Sequence, residues 1–163
     1  MKSDQFTFGS ILSACASIEA LEEGKQVHTG IIKSGFESDV FVGSALVDMY
    51  AKCKGMDHAH KVFDKLSTQD VYIWTALIAG YTRCRRMEFA RQLFVKIPEK
   101  NVVPWNTMIS GYIQHGFAEE GFRLFFQMQQ GGMKQDNYTY SSVLSACANL
   151  AALGCSNISI PTI

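Results

Sequence analysis

The chain has 163 residues, of which 47% are apolar and 18% are charged, and its 15 basic and 15 acidic side chains give a formal net charge of zero. This composition is typical of a folded, soluble chain and excludes a disordered tail, a collagen and a polybasic arm. Polar residues or glycines interrupt every apolar stretch well short of the roughly 18 residues that cross a bilayer. We therefore expect a folded chain with no membrane span.

The N-terminal residues and the cysteines bear on the cellular compartment. Residues 1–8 contain one Lys, one Asp and no apolar block, so they resemble neither a signal peptide nor an arginine-rich transit peptide. The five cysteines form no C-x-x-C pair, and an odd count without a secretory signal indicates reduced thiols. We expect no disulfide framework, and we place any targeting sequence outside this chain.

An internal repeat organises the sequence. Residues 40–50, 71–81 and 102–112 align without gaps at an offset of 31 residues, and each segment ends in Tyr. The sequence LSACASIEAL at residues 12–21 returns as LSACANLAAL at residues 144–153. The offset between these two segments accommodates two repeats of 31 residues and two of 35. In chain order we predict one solenoid domain over residues 1–163, with repeats at residues 5–39, 40–70, 71–101 and 102–136 and a partial repeat at 137–163.

Each repeat has the pattern of two helices. Within one repeat, Leu77 and Tyr81 and then Phe89, Leu93 and Phe94 follow helical rather than alternating spacing. Helix breakers separate the two segments, for example at residues 54–55 and 115–116, or end the repeat, at residues 34–35 and 131–132. Such a helical hairpin is too small to bury its own apolar face, so neighbouring hairpins must stack. The predicted fold is an all-α solenoid of antiparallel helical hairpins.

The positions that recur in every repeat predict the core. We assign to it the tyrosine that ends each 31-residue match, the cysteines that replace it in the other repeats, and the apolar residues at helical spacing around them. These predicted core residues are Tyr50, Tyr81, Tyr112, Cys15, Cys147, Phe63, Phe94, Phe125, Met49 and Met108. Small residues recur where the second helix would cross the first, namely Gly24, Ala59, Ala90 and Gly121.

Two longer segments carry a specific resemblance. DVFVGSALVDMYAKCKGMDHAHKVFDKL and VVPWNTMISGYIQHGFAEEGFRLFFQMQQGGMKQD resemble pentatricopeptide repeats, and the 35, 31, 31, 35 order is similar to the plant subclass that mixes repeat lengths. Tetratricopeptide repeats differ in their constant length and in their Trp, Gly and Tyr pattern. The resemblance covers residues 5 to about 153 and implies a right-handed solenoid superhelix. Because the H-x-E and P-C-x-x-C zinc deaminase signature is absent, the chain resembles a fragment without the C-terminal E or DYW extension of that subclass.

The resemblance implies single-stranded RNA binding, with one base recognised per repeat. In the family, the fifth and the last residue of a repeat select the base, and here these pairs are Ser44 with Asp70, Thr75 with Asn101, and Asn106 with Asp136. The family's pairing rule assigns them G, A and U, hence a central 5′-GAU-3′. In the first repeat the pair is Gly9 with Asp39. Gly9 has no side chain to select a base, so the base of this repeat is left unassigned. Ser141 is the fifth residue of the partial repeat.

Further roles also follow from the resemblance. The second residue of each repeat would hold the base faces, and these residues are Phe6, Phe41, Tyr72, Val103 and Tyr138. Lys52 and Arg83, at the thirteenth position, would contact phosphates. A solvated turn is an equal alternative for each basic residue, and helix N-capping is an alternative for the polar fifth residues.

We expect no enzyme activity, metal or cofactor. His58 and His60 are two residues apart on a helix, so they point to different faces and cannot share a metal. The resemblance implies an adaptor in a mitochondrion or chloroplast that presents transcripts for RNA processing or cytidine-to-uridine editing by editing factors acting in trans. The alternative is an α-solenoid scaffold that binds a protein or peptide. An apolar tail follows residue 157. Without a polar capping helix the apolar face of the last repeat would be partly exposed, and we expect self-association through this uncapped C-terminal repeat.

Overall fold

The computed structural model describes residues 3–154, and the apolar tail of the last repeat lies outside them. The expected self-association through that repeat stays a prediction. Within residues 3–154 the chain forms nine helices and no strand. In chain order they are α1 Ser3–Ser17, α2 Leu21–Lys33, α3 Val40–Lys52, α4 Met56–Lys65, α5 Val71–Arg83, α6 Met87–Lys96, α7 Val102–Gln114, α8 Ala118–Gln130 and α9 Asn137–Ala152. The prediction of two helices per repeat is confirmed for the first four repeats. No helix in this part of the chain has the length and apolar content to span a bilayer.

A three-residue loop joins the two helices of each of these repeats. The middle residue of the loop is left-handed in every case, with φ of 52° at Glu19, 61° at Lys54, 59° at Arg85 and 86° at Gly116. The last loop residue donates its backbone N–H to the carbonyl of Cys15, Tyr50, Tyr81 or Tyr112, at 2.8–2.9 Å. This bond satisfies a carbonyl that the helix end leaves free. The recurring Tyr or Cys therefore marks the end of the first helix.

The difference between long and short repeats arises in the second helix. Helices α2 and α8 of the 35-residue repeats have 13 residues, whereas α4 and α6 of the 31-residue repeats have 10. The long helices end in turns with positive φ at Gly35 and Gly132. The short helices end at Leu66 and Ile97, which are extended. The loop after each long helix is also one residue longer than the loop after each short helix. The extra residues of the long repeats therefore lie outside the first helices, which keep their register.

The described residues form two compact blocks, residues 3–97 and residues 98–154. In the first block α1, α3 and α5 pack side by side, and α2 and α4 each contact the first helix of their own repeat and that of the next repeat. Leu12, Leu46 and Leu77 at the centre of these contacts are at most 1% exposed. In the second block, α7, α8 and α9 enclose Ile109, Phe125 and Met128. The first block thus has the stacked hairpins of an α-solenoid, and in the second block α9 stacks on the α7–α8 hairpin.

Nine of the ten predicted core residues are buried, and Cys147 is the exception. Helix α9 buries Thr139 and Ala146 against α7 and α8. Cys147 follows Ala146 by one residue, so its side chain points about 100° away around the helix. It is therefore exposed, and its assignment to the core was wrong. The matched Cys15 is buried because α3 packs against α1.

The recurring small residues are buried for two different reasons. A Cβ atom on Gly121 would lie 2.8 Å from Ile113 Cγ1, so Gly121 allows α8 to approach α7 of its own repeat, as predicted. A Cβ atom on Gly24 would instead lie 2.4 Å from Met49 Sδ on α3. For Gly24 the prediction had the wrong neighbour, because the close contact is with the following repeat. Ala59 and Ala90 are fully buried.

Candidate nucleic-acid interface

The last residue of each repeat is the N-cap of the next first helix. The side chains of Asp39, Asp70, Asn101 and Asp136 accept hydrogen bonds of 2.9–3.0 Å from the backbone amides of Val42, Ile73, Val103 and Thr139. The alternative that the fifth residues cap helices was therefore wrong, since the last residues do so. A side chain that caps a helix has a fixed orientation, because one of its oxygens is held at the helix N-terminus. Four of the predicted base-recognition residues are thus held in place.

The serine and threonine at the fifth positions bond within their own helices. Ser44 Oγ donates to the Val40 carbonyl at 2.7 Å, and Thr75 Oγ1 donates to the Val71 carbonyl at 2.6 Å. Each hydroxyl proton is used by the backbone, so the lone pairs of the oxygen remain for a ligand. Among residues 3–154, no hydrogen bond joins Ser44 to Asp70. Thr75 and Asn101 belong to different blocks, and their pairing stays a prediction.

Asn106 and Asp136, the proposed base-selecting pair of the fourth repeat, are hydrogen-bonded to each other. Asn106 Nδ2 donates to Asp136 Oδ1 at 2.9 Å and to Oδ2 at 3.1 Å, and Asn106 is 7% exposed. Thr139, which the sequence analysis missed, is fully buried beside them, and its hydroxyl contacts Asn106 Oδ1 at 2.5 Å and Asp136 Oδ1 at 2.8 Å. Hydrogen bonds from the Thr139 backbone amide and hydroxyl lower the pKa of Asp136. The carboxylate is therefore ionised at neutral pH.

The first repeat departs from the others. Gly9 is half-buried, and a Cβ atom there would lie 2.9 Å from Phe41 Cε1, so the Phe41 ring occupies the space that a fifth side chain would take. Asp39 is instead contacted by Gln5, whose amide Nε2 donates to both carboxylate oxygens at 2.9 and 3.0 Å. The sequence analysis did not select Gln5. Ser141 is exposed on α9.

The second residue of every repeat is exposed, although each is apolar or aromatic. Phe6, Phe41, Tyr72, Val103 and Tyr138 are between 48% and 64% exposed. The next residue in the last four repeats, which is Val42, Ile73, Pro104 or Thr139, is buried. Phe6 and Phe41 contact each other, with ring centroids 5.7 Å apart. Exposed aromatic faces at matched positions provide stacking surfaces for a planar ligand.

The two basic residues at the thirteenth position both have partners. Lys52 and Arg83 are the last residues of α3 and α5, where positive charge interacts favourably with the helix dipole. Lys52 Nζ pairs with Asp48 Oδ2 at 2.7 Å, and Arg83 Nη1 donates to the Ala51 carbonyl at 3.4 Å. The exposed Lys52 pair contributes little to stability. An anion can therefore replace Asp48 at small cost.

Histidine and tyrosine link consecutive repeats in the first block, a feature the sequence analysis missed. His28 Nδ1 lies 2.8 Å from the Tyr50 hydroxyl, and His60 Nδ1 lies 2.7 Å from the Tyr81 hydroxyl. Each link joins a second helix to the next first helix. Burial raises the pKa of Tyr50 to about 12 and also raises the pKa of Tyr81. The signal in the sequence was the nearly equal His-to-Tyr spacing in two repeats, and it indicates a structural role for these histidines.

Acidification below the ordinary histidine pKa should destabilise the chain through His28. Burial, opposed by Glu37 and reinforced by His58 and Lys65, lowers the pKa of His28 from 6.5. The unfolded chain therefore binds this proton more readily, and stability is lost as the pH falls below about 6.5. We expect His28→Gln to show a smaller fall in Tm between about pH 7.5 and 5.5 than the wild type. His115→Gln, in the second block, is the matched control, and an equal fall in all three proteins would contradict the expectation.

Together, the stacked hairpins and the polar residue that ends each repeat and caps the next helix define a helical-repeat protein of the α-solenoid class. The PPR repeat model matches residues 44–71 and 72–102, and the PPR repeat family model matches residues 100–149. These matches cover well over half of the chain. The chain belongs to the pentatricopeptide repeat family, and this confirms both the resemblance and the all-α solenoid fold.

Similar proteins come from plants. A pentatricopeptide repeat-containing protein of Arabidopsis thaliana is 39% identical over 153 residues, and a second is 37% identical over 150. The alignments cover 94% and 92% of this chain but only 16% and 17% of those proteins. The chain therefore spans about a sixth of their length. The mixed-length subclass stays a prediction.

Solved structures show the same fold. The crystal structure of the pentatricopeptide repeat protein PPR10 from maize matches with a TM-score of 0.73. The structure of PPR10 in complex with an 18-nt psaJ RNA element matches with a TM-score of 0.79. The identity is 24% in both cases, and the matches cover 91% of this chain and 22–23% of PPR10. At that identity the likeness establishes the fold alone.

Proposed function

We propose that this chain binds single-stranded RNA and selects one base per repeat. The observation that carries the proposal is the exposure of the second residue of every repeat, which in the last four repeats lies two positions after a polar side chain that caps the helix. An unpaired base needs an apolar contact for its face and hydrogen-bonding groups for its edge. Both kinds of group lie within three consecutive residues at each of the four boundaries between repeats. The RNA complex of the structurally similar PPR10 supports this choice of ligand.

The proposed base preferences depend on whether a side-chain amide bridges the two oxygens of the carboxylate at the end of the repeat. In the second repeat, Asp70 Oδ1 caps α5, and among residues 3–154 no side chain bridges its two oxygens. Guanine presents two adjacent N–H donors, which suit an unoccupied carboxylate. In the fourth repeat, the Asn106 amide bridges the Asp136 oxygens. That site instead presents the second N–H of the amide, which suits a carbonyl such as those of uracil. With Thr75 and Asn101 assigned to adenine, the proposed sequence is 5′-GAU-3′.

The cellular role is an adaptor in RNA processing or cytidine-to-uridine editing. Relatives that are 31% and 36% identical carry the names chloroplastic and chloroplastic/mitochondrial, which supports an organelle as the site of action. In this role the chain holds the transcript, and an editing factor acting in trans provides the catalytic groups. The chain itself is proposed to use no metal or cofactor.

Selection from a random RNA pool tests the proposal. We expect enrichment of 5′-GAU-3′ in single-stranded RNA, and weak competition by double-stranded RNA of the same sequence, because pairing hides the base edges. The logarithm of the binding constant should fall with the logarithm of the salt concentration with a slope of about −1 to −2, since Lys52 and Arg83 are the proposed phosphate contacts. A pool without any enriched sequence, together with binding to peptides, would favour the protein scaffold instead.

A further inference from the structure

The first repeat lacks a side chain at its fifth position but retains a polar contact at its last one. Gln5 Nε2 donates to Asp39 Oδ1 at 2.9 Å and to Oδ2 at 3.0 Å. The corresponding distances from Asn106 Nδ2 to Asp136 are 2.9 and 3.1 Å. In both cases a side-chain amide on one first helix bridges the capping carboxylate of the next first helix. The two repeats therefore share the amide bridge on the capping carboxylate, which they build from different residues, whereas the hydroxyl contact of Thr139 has no counterpart at Val42.

Helix geometry explains how Gln5 reaches this place. Gln5 precedes Gly9 by four residues, so the two residues lie on the same face of α1, one turn apart. Glutamine is one methylene longer than asparagine, and its amide extends along the helix toward Asp39. Gly9 cannot carry a side chain there, because the Phe41 ring lies where its Cβ atom would be. The half-buried Gln5 thus bridges the Asp39 carboxylate from α1.

This pair shares with the other repeats a capping hydrogen bond and an exposed aromatic or apolar neighbour. Asp39 Oδ1 also accepts the Val42 amide at 2.9 Å, just as Asp136 Oδ1 accepts the Thr139 amide at 2.9 Å. Phe6, which follows Gln5 directly, is 64% exposed and can contact the face of a base. Nε2 uses one N–H on the carboxylate and keeps a second, and Oε1 is an acceptor. The pair therefore carries both donor and acceptor for a base edge.

We infer that Gln5 together with Asp39 selects a base in the first repeat, and that it selects the same base as Asn106 with Asp136. This inference rests on the proposed function. It turns a repeat without an assigned base into a fourth recognition site and extends the proposed target by one nucleotide on its 5′ side. If the fourth repeat selects U, the target is 5′-UGAU-3′.

Four RNAs of the form 5′-NGAU-3′, which differ only in the first base and have cytidine flanks, test the inference with the full chain. We expect the wild type to prefer U over G at the first base by about tenfold. Gln5→Ala should move this preference from U toward G, because it leaves the carboxylate of Asp39 unbridged like that of Asp70, and it should keep the preferences at the other three bases. Gln26→Ala, an exposed glutamine on α2, is the matched control and should behave as the wild type.

The outcomes separate this inference from the proposed function. Equal preference at the first base in the wild type and Gln5→Ala, with discrimination retained at the other three bases, would overturn the role of Gln5 and leave the proposed function intact. A wild type without preference at the first base would do the same. If no base is discriminated at any position, the proposed function fails and this inference fails with it.

Discussion

Asn106→Thr should move the preferred base in the fourth repeat from U to G while Asp136 is retained. Asn106 Nδ2 now bridges both oxygens of Asp136. A threonine at this position would donate its hydroxyl to the carbonyl four residues earlier, as Thr75 does to Val71. The Asp136 carboxylate would then lack its amide bridge, as that of Asp70 does, and would accept the two N–H donors of guanine. We expect a change in the U-to-G binding ratio of about tenfold to a hundredfold.

The measurement is selection from a random RNA pool before and after the substitution, followed by titration of two RNAs that differ at that base. Thr107→Ser is the matched control, because Thr107 is half-buried on the same helix and its hydroxyl donates to the Val103 carbonyl at 2.9 Å. An unchanged base profile for Asn106→Thr in a protein that still binds RNA would show that this pair does not select the base. Circular dichroism checks that α7 and α9 remain folded, since Asn106 is buried.

The sequence alone predicted the helices because their boundaries recur. The 31-residue offset and the breakers at residues 54–55 and 115–116 place the ends of α3 and α7, and the structure puts those ends at Lys52 and Gln114. Burial of Tyr50 and Tyr81 could be predicted in the same way, since a tyrosine recurs at the same position in consecutive repeats. The wrong assignment of Cys147 shows where this reasoning ends. Burial depends on the next helix, and within residues 3–154 no helix follows α9.

Contacts between repeats could not be predicted from periodicity. The bond from Gln5 to Asp39 joins residues 34 positions apart, and it forms beside Gly9, where the Phe41 ring fills the space of a side chain. The capping role of the last residues was also missed, although an Asp or Asn directly before a helix is a known start signal. Asp70 and Asp136 could therefore have been recognised as caps. The base preferences stay predictions, because they depend on a bound RNA.

Gly80→Ala should destabilise the first block by about 1–3 kcal/mol, because it inserts a methyl group into a filled helix contact. A Cβ atom on Gly80 would lie 2.8 Å from Ala51 Cβ on α3 and 2.6 Å from Met56 Sδ. The methionine end can move, but Ala51 Cβ is attached to the backbone, so α3 and α5 must separate. Denaturant unfolding followed by circular dichroism measures the change.

Gly30→Ala makes the same chemical change in a helix with the opposite expected sign. Gly30 lies inside α2, and no atom lies within 4 Å of a Cβ atom placed there. Alanine should therefore stabilise the chain by about 0.5–1 kcal/mol through helix propensity alone.

Adding Ala51→Gly to Gly80→Ala should recover part of the loss, since the two methyl groups collide directly. The double mutant should be more stable than the sum of the single changes predicts. Equal effects of Gly80→Ala and Gly30→Ala would show that α3 and α5 are not in close contact at Gly80, whereas opposite signs would establish that backbone approach, rather than turn formation, requires this glycine.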